Sequence, residues 1–392
     1  MSDHNPEGGE PRDDAGAEDR TFAPAAADGP ASDAGASAGY LAPDLDPAAD
    51  PGLPGGPRLR AWLVLLLGVG AFSLVLQLQE AAILAVLAGL FVAAQAADLY
   101  PQHAWLYRLV AWTVPVGGAA LFGTLAFVIS QGEPSAGQML MVALSATSAL
   151  ACLMTMFRLF SDSMTRALFR GAEPSHPLRL ASRLVLICYL IALPGWYAFR
   201  DQFESLLAEP DALFNHGFLG TGLVGYVLLA FAAVGYLVRR DLPGALERLG
   251  VRPLRAVDYL IVPLGVLLMF ALNAALEAVQ RIWFTDLWLS DQRVTQLIVS
   301  GLTFSQVIML GLSAGIGEEI TLRGALQPRL GLVLTSLLFS ALHIQYSWFG
   351  MVVIFIFGIV LGLIRIHTST TVVMAIHTLY DMAAVFTLSQ PT

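Results

Sequence analysis

Apolar residues gather into eleven long runs, near 61–78, 81–97, 108–129, 138–157, 183–199, 217–238, 257–279, 296–317, 331–345, 347–365 and 370–388. A helix needs about 20 apolar residues, range roughly 17–25, to cross a bilayer core, where backbone polar groups must be satisfied within the helix itself. Most of the runs reach that length; the first two and the 331–345 run are short. The pattern predicts an all-α fold, a polytopic transmembrane helix bundle of about eleven spans. Residues 1–57 carry no such run. They are rich in Pro, Gly, Ala, Ser and Asp with Phe22 and Tyr40 as aromatics, too little apolar surface to offset the entropy of ordering, so a disordered tail is expected. It lacks the basic start and short apolar stretch of a signal peptide and is expected to stay on the mature protein.

The arginines test this layout. Arg58 and Arg60, then Arg158 to Arg183, Arg239 to Arg255, Arg323 with Arg329, and Arg365 fall in alternate connections. Positive charge collects on the cytoplasmic side, so the acidic tail is expected in the cytoplasm and the protein in the plasma (inner) membrane as a multi-pass chain. The opposite connections, around Glu133, Asp201 to Asp211 and Asp286 to Asp291, carry few arginines. The polar, Pro- and Gly-broken segment 239–256 is the expected divide. Three regions result: the tail 1–57, a region of N-terminal helices 58–255 with no assigned role, and a core 256–392.

Composition supports a membrane protein. Hydrophobic residues make up 56% and charged ones 13%, with a mean hydropathy of +0.67, whereas soluble domains are about a quarter charged. The net charge of −9 is local. Residues 1–57 hold twelve acids and two arginines, a balance of −10, leaving eighteen acids against nineteen arginines elsewhere. All 21 basic residues are arginine, a coding bias rather than a nucleic-acid footprint. Cys152 and Cys188 sit in separate apolar runs and read as packing residues, not as a disulfide or a metal site.

Ionisable residues inside apolar helices are expensive and mark function. They concentrate in 256–392. Glu319 and Arg323 are four apart and share a helical face, while Glu318 is turned about 100° away. Phe339 and His343 are four apart in the next run, and His377 and Asp381 in the last. The reading places Glu318 near the end of its helix and all three groups at comparable depth. Gly311, Gly315 and Gly317, and the Gly358/Gly362 pair, let helices approach closely. Asn273 and Glu277 read as an interhelical hydrogen bond or as cavity lining, and His103, His176, His216 and His367 as loop or interface residues.

Glu318-Glu319-Ile320-Thr321-Leu322-Arg323, Phe339-Ser340-Ala341-Leu342-His343, Phe357-Gly358 with Gly362, and His377-Thr378-Leu379-Tyr380-Asp381 resemble the ordered motifs EExxxR, FxxxH, aromatic-Gly and HxxxN/D of the CPBP family. That family comprises the type II CAAX prenyl endopeptidases and their bacterial relatives, membrane-embedded proteases. The resemblance implies an intramembrane glutamic endopeptidase acting on a peptide or membrane-protein substrate. Glu318 and His343 would activate a water and His377 stabilise the oxyanion. Glu319 with Arg323 would form a supporting ion pair, and Phe339 would pack beside them. The family commonly has Asn where Asp381 stands, so Asp381 is either protonated or accepts from the His377 ring, the second being preferred. Glu318, His343 and His377 are also a candidate ligand set for a divalent metal such as zinc. HExxH is absent, no cofactor is assigned, and the metal-free route is favoured.

Each residue taken singly has a plainer reading as an interhelical hydrogen bond or an interface anchor. The alternatives for the whole are a proton-coupled transporter, disfavoured by the lack of related halves, and a non-catalytic scaffold or immunity protein of the same family.

Overall fold

The computed structural model describes residues 55–75, 79–199, 216–299 and 302–388; the acidic tail and the Asp201–Asp211 connection lie outside them. The described residues fold into helices without strands, numbered here α1 (Gly55–Val75), α2 (Gln79–Leu99), α3 (Ala104–Ser130), α4 (Ala136–Met154), α5 (Arg158–Leu168), α6 (His176–Phe199) and α7 (His216–Ala233). There follow α8 (Leu242–Leu249), α9 (Asp258–Trp283), α10 (Thr285–Val299), α11 (Phe304–Leu330), α12 (Leu332–Ala341), α13 (Trp348–His367) and α14 (Thr370–Leu388).

Every apolar run overlaps one of these helices. Among the described residues seven are long and apolar enough to cross a bilayer, α2, α3, α4, α6, α9, α13 and α14, and the pair α10 and α11, bent by 114°, could form an eighth. The apolar part of α7 and the ten residues of α12 fall short. At 1.5 Å per residue ten residues rise about 15 Å, half a hydrocarbon core. The expected count of eleven is not confirmed among the described residues, where apolarity located the helices without measuring their length.

Three helices come from sequence outside the apolar runs or at their edges. The short helix α5 has a polar inner face, with Ser161 and Thr165 fully buried, while Leu159 is 83% and Phe157 63% exposed. Thr165 and Ser182 share a hydrogen bond of 3.0 Å, Arg179 meets Asp162 at 2.5 Å, and Arg183 donates to the Thr155 carbonyl at 2.9 Å. The second, α8, ends in the left-handed region at Gly250 (φ 68°) and packs on the C-terminal helices: Thr370 donates to the Leu249 carbonyl at 2.6 Å and Arg248 to those of Gly324 and Ala325. The third, α10, holds Asp286 to Asp291, so these acids lie in a helix rather than the expected loop.

The largest apolar core runs from Trp62 in α1 through Val110, Leu180 and Ala232 to Leu330 and Phe339, binding the N-terminal helices to α11 and α12. A second joins α9, α13 and α14 through Met269, Leu361, Val373 and Ile376.

α11 crosses the middle of this assembly. It opens with a capping box between Thr303 and Gln306, widens to π geometry over Ser313–Glu318 and Ile320–Leu326, and stops at Gly331, whose φ of 85° suits glycine. Its small residues set the contacts. A Cβ on Gly311 would come within 2.6 Å of Met382, one on Gly315 would overlap Thr378, and one on Gly317 would lie 3.0 Å from Tyr226 of α7. Gly358 and Gly362 do the same for α13 against Ser336, Leu332 and Gln327.

Candidate active site

Close packing of Gly311 and Gly315 on α14 brings the carboxylates of α11 beside His377. Glu319 is fully buried, with one ion-pair contact and one hydrogen bond. Its Oε2 lies 3.2 Å from Arg323 Nε, also fully buried, and its Oε1 lies 3.0 Å from His377 Nδ1. The other ring nitrogen, Nε2, is 3.4 Å from Asp381 Oδ2. The imidazole is thus clamped between two carboxylates, one from each helix. A buried charge pair repays its desolvation only when geometry and further partners are good, and here four groups share the compensation. Arg323 adds the face of Phe339, 5.1 Å from its guanidinium carbon to the ring centroid.

Phe339 is the hub. Its ring also meets that of His343 at 4.9 Å and that of His377 at 6.0 Å, edge to face in both cases. His343 Nδ1 lies 2.8 Å from the Phe339 carbonyl oxygen. A carbonyl only accepts, so Nδ1 carries the proton and a neutral ring presents Nε2 as a lone pair.

Glu318 contrasts with its neighbour. Among the described residues its carboxylate takes part in no hydrogen bond and no ion pair. It lines a cavity of about 600 Å³ together with His343, His377, Asp381 and Phe339. All seven residues expected at the site are therefore near one another: Glu318, Phe339, His343, His377 and Asp381 on the cavity wall, Glu319 and Arg323 behind it.

Two placements differ from expectation. Glu318 lies in the middle of α11, not near its end, because the helix runs on past the charged cluster to Leu330. His343 lies beyond the end of α12, in the turn where the Tyr346 N–H donates to its carbonyl. From that turn the ring lines the cavity.

A metal would need ligands with free lone pairs. Both nitrogens of His377 face carboxylates, and among the described residues no group of three His, Cys, Asp or Glu side chains is arranged to hold an ion. Glu318, His343 and His377 do not fit as a metal site.

On the opposite wall of the cavity one residue, Asp291, was missed from sequence. Asp291 of α10 accepts from the Ser347 N–H at 2.6 Å, the Ser347 hydroxyl at 2.7 Å and Gln280 at 2.6 Å, tying α9 and α10 to the turn that carries His343. Glu277 accepts from Trp288 at 3.1 Å and Gln292 at 3.0 Å, so the interhelical bond and the cavity lining expected of it both occur, and Asn273 lines the cavity too. The only sequence signal for Asp291 was Trp288, three residues earlier and so on the same helical face. His176, taken as a loop residue, heads α6, stacks on Tyr107 at 3.7 Å and meets Asp98 at 3.3 Å.

Comparison with known proteins points to the same segment. Residues 300–383 match the family model Type II CAAX prenyl endopeptidase Rce1-like, bearing out the resemblance carried by the four motifs, all of which lie within that range. The uncharacterized protein YpbD of Bacillus subtilis (strain 168) is 29% identical over 158 residues, 40% of this chain and 80% of its own length. No solved structure matches the chain. The protein is a membrane protein with an Rce1-like segment.

Proposed function

We propose that the protein is an intramembrane endopeptidase of the glutamate type, with residues 256–392 as its catalytic core and the helices of 58–255 as the frame around it. The observation that carries this reading is the pairing, at one cavity, of a carboxylate without partners and an imidazole whose Nε2 is left as an acceptor.

Glu318 and His343 hold a water between them and Glu318 takes its proton as the oxygen adds to the scissile carbonyl carbon. The carbonyl becomes a tetrahedral oxyanion, and His377 Nε2 donates to it. Its contact with Asp381 is long, 3.4 Å, so an incoming oxygen competes for the same proton. Asp381 aims the ring until then. As the C–N bond breaks, the proton on Glu318 passes to the departing amine, restoring the carboxylate. One oxyanion donor contributes about 2.7–4 kcal/mol to such a transition state. Glu319, Arg323 and Phe339 hold His377 and His343 in place without touching the reacting atoms. The substrate is a peptide or a membrane-protein segment, and the N-terminus faces the cytoplasm of a plasma membrane.

The test is cleavage of a peptide library by the full chain in liposomes, with wild type, Glu318→Gln and chelator-treated wild type side by side. Loss in Glu318→Gln alone is the expected result. Loss with chelator overturns the glutamate route, and absence of cleavage in every sample overturns the enzyme reading.

A further inference from the structure

Of the acidic side chains on the cavity wall, Glu318 and Asp381 are assigned to chemistry and Asp291 is saturated by three donors. Glu277 is left. Both of its bonded donors, Trp288 Nε1 and Gln292 Nε2, meet the same oxygen, Oε1. Oε2 has no hydrogen-bond or ion-pair partner among the described residues, and the side chain lines the cavity. Asn273, one helical turn earlier on the same face of α9, lines it as well. Around them the wall mixes apolar side chains, Met269, Phe270, Ile354 and Phe357, with neutral polar ones such as Gln292 and Thr295, and no arginine contributes to it among the described residues. A carboxylate oxygen without a basic partner in a cleft favours a cation and disfavours an anion.

We propose that Glu277, with Asn273, forms a subsite for a cationic side chain of the substrate, so that the enzyme takes an apolar peptide segment bearing an arginine or lysine near the bond it cuts. Trp288 and Gln292 hold Oε1 and so aim Oε2. A guanidinium or ammonium donates to Oε2 and to the Asn273 side-chain oxygen, while the apolar side chains of the wall take the flanking residues. The proposal rests on the hydrolase reading for its substrate, though binding can be measured without turnover.

The experiment uses the full chain in detergent as Glu318→Gln, which binds without cleaving. Acetylated and amidated eight-residue Leu/Ala peptides carry one arginine at each position in turn, and a matched set carries citrulline, neutral and of the same shape. At one or two adjacent positions arginine should bind about tenfold more tightly than citrulline. Adding Glu277→Gln, which keeps an acceptor for Trp288 and Gln292, should abolish the difference. Equal binding of the two sets at every position, including no binding of either, overturns the subsite. So does a preference that survives Glu277→Gln. A preference that depends on Glu277 in a protein whose wild type cleaves none of the peptides supports the subsite and overturns the hydrolase instead.

Discussion

The two walls of the cavity bury the same kind of group and use it differently. On the α9–α10 wall Asp291 accepts three hydrogen bonds, each 2.6–2.7 Å long, and joins three segments of chain. On the α11–α14 wall Glu319 is shared by Arg323 and His377, while Glu318, its sequence neighbour, has no partner. A carboxylate surrounded by donors is an anchor. One beside an open cavity and without donors is, on the proposed reading, the reagent, because the unrecovered desolvation is available to whatever proton or water arrives. Residue type does not distinguish the roles; the count of donors does.

Removing the reagent tests this most sharply. Glu318→Gln should lower the cleavage rate by about 10²–10⁴-fold, the usual contribution of a general base, with an unchanged unfolding midpoint. A matching drop in thermal stability would make Glu318 another anchor. Glu319→Ala should do the reverse and act first on the fold. It leaves Arg323 buried without its anion, a loss of about 3–5 kcal/mol, read as a lower midpoint in detergent.

On the opposite wall, Asp291→Ala strands the Ser347 N–H and hydroxyl and the Gln280 amide. An unsatisfied buried group costs about 1–3 kcal/mol. Stability should fall, and cleavage should slow through kcat more than KM as the His343 turn loosens. Asp291→Asn keeps acceptor capacity and should recover part of both. Gly315→Ala should cost about 1–3 kcal/mol of overpacking against Thr378 and move Glu319 away from His377, visible as a joint loss of stability and rate.

The smallest effect lies outside the cavity. Burial acts to raise the Asp162 carboxyl, but the hydrogen bond and charge of Arg179, with help from Arg158, hold it below the usual carboxylate range. A lowered value in the folded state stabilises above the unfolded value of about 3.9 and is lost as pH falls through the folded one. The difference in unfolding midpoint between wild type and Asp162→Asn should therefore be steady near pH 6 and shrink as pH drops from about 4 toward 3.

Much of this was readable in the letters, and the pattern of what was not is physical. Apolar runs found the long helices because lipid and protein interior reward the same residues. The spacing of Glu319 to Arg323 and of His377 to Asp381 found real contacts because each pair is local to one helix. Asp291 was hidden because its chief partner, Ser347, is 56 residues away in sequence. α5 was hidden because its buried face is polar, Ser161 and Thr165, and its apolar residues point outward. The width of α11 left no mark either, since hydropathy is blind to which carbonyl an N–H chooses.

That width has a consequence for how the chain tolerates change. An α-helix turns about 100° per residue, and a π-helical stretch fits an extra residue into its turns. Losing one residue between Ser313 and Leu326 would let one wide turn relax to ordinary pitch and leave the helix beyond it near its present phase, whereas adding one without further widening would rotate everything after it by about a quarter-turn. Arg323 would leave Phe339 and Gln327 would leave the Gly362 carbonyl, to which it now donates at 3.0 Å. An insertion of one codon, absorbed without harm in most surface loops, would here throw the buried cluster out of phase, while a deletion has spare turns to draw on.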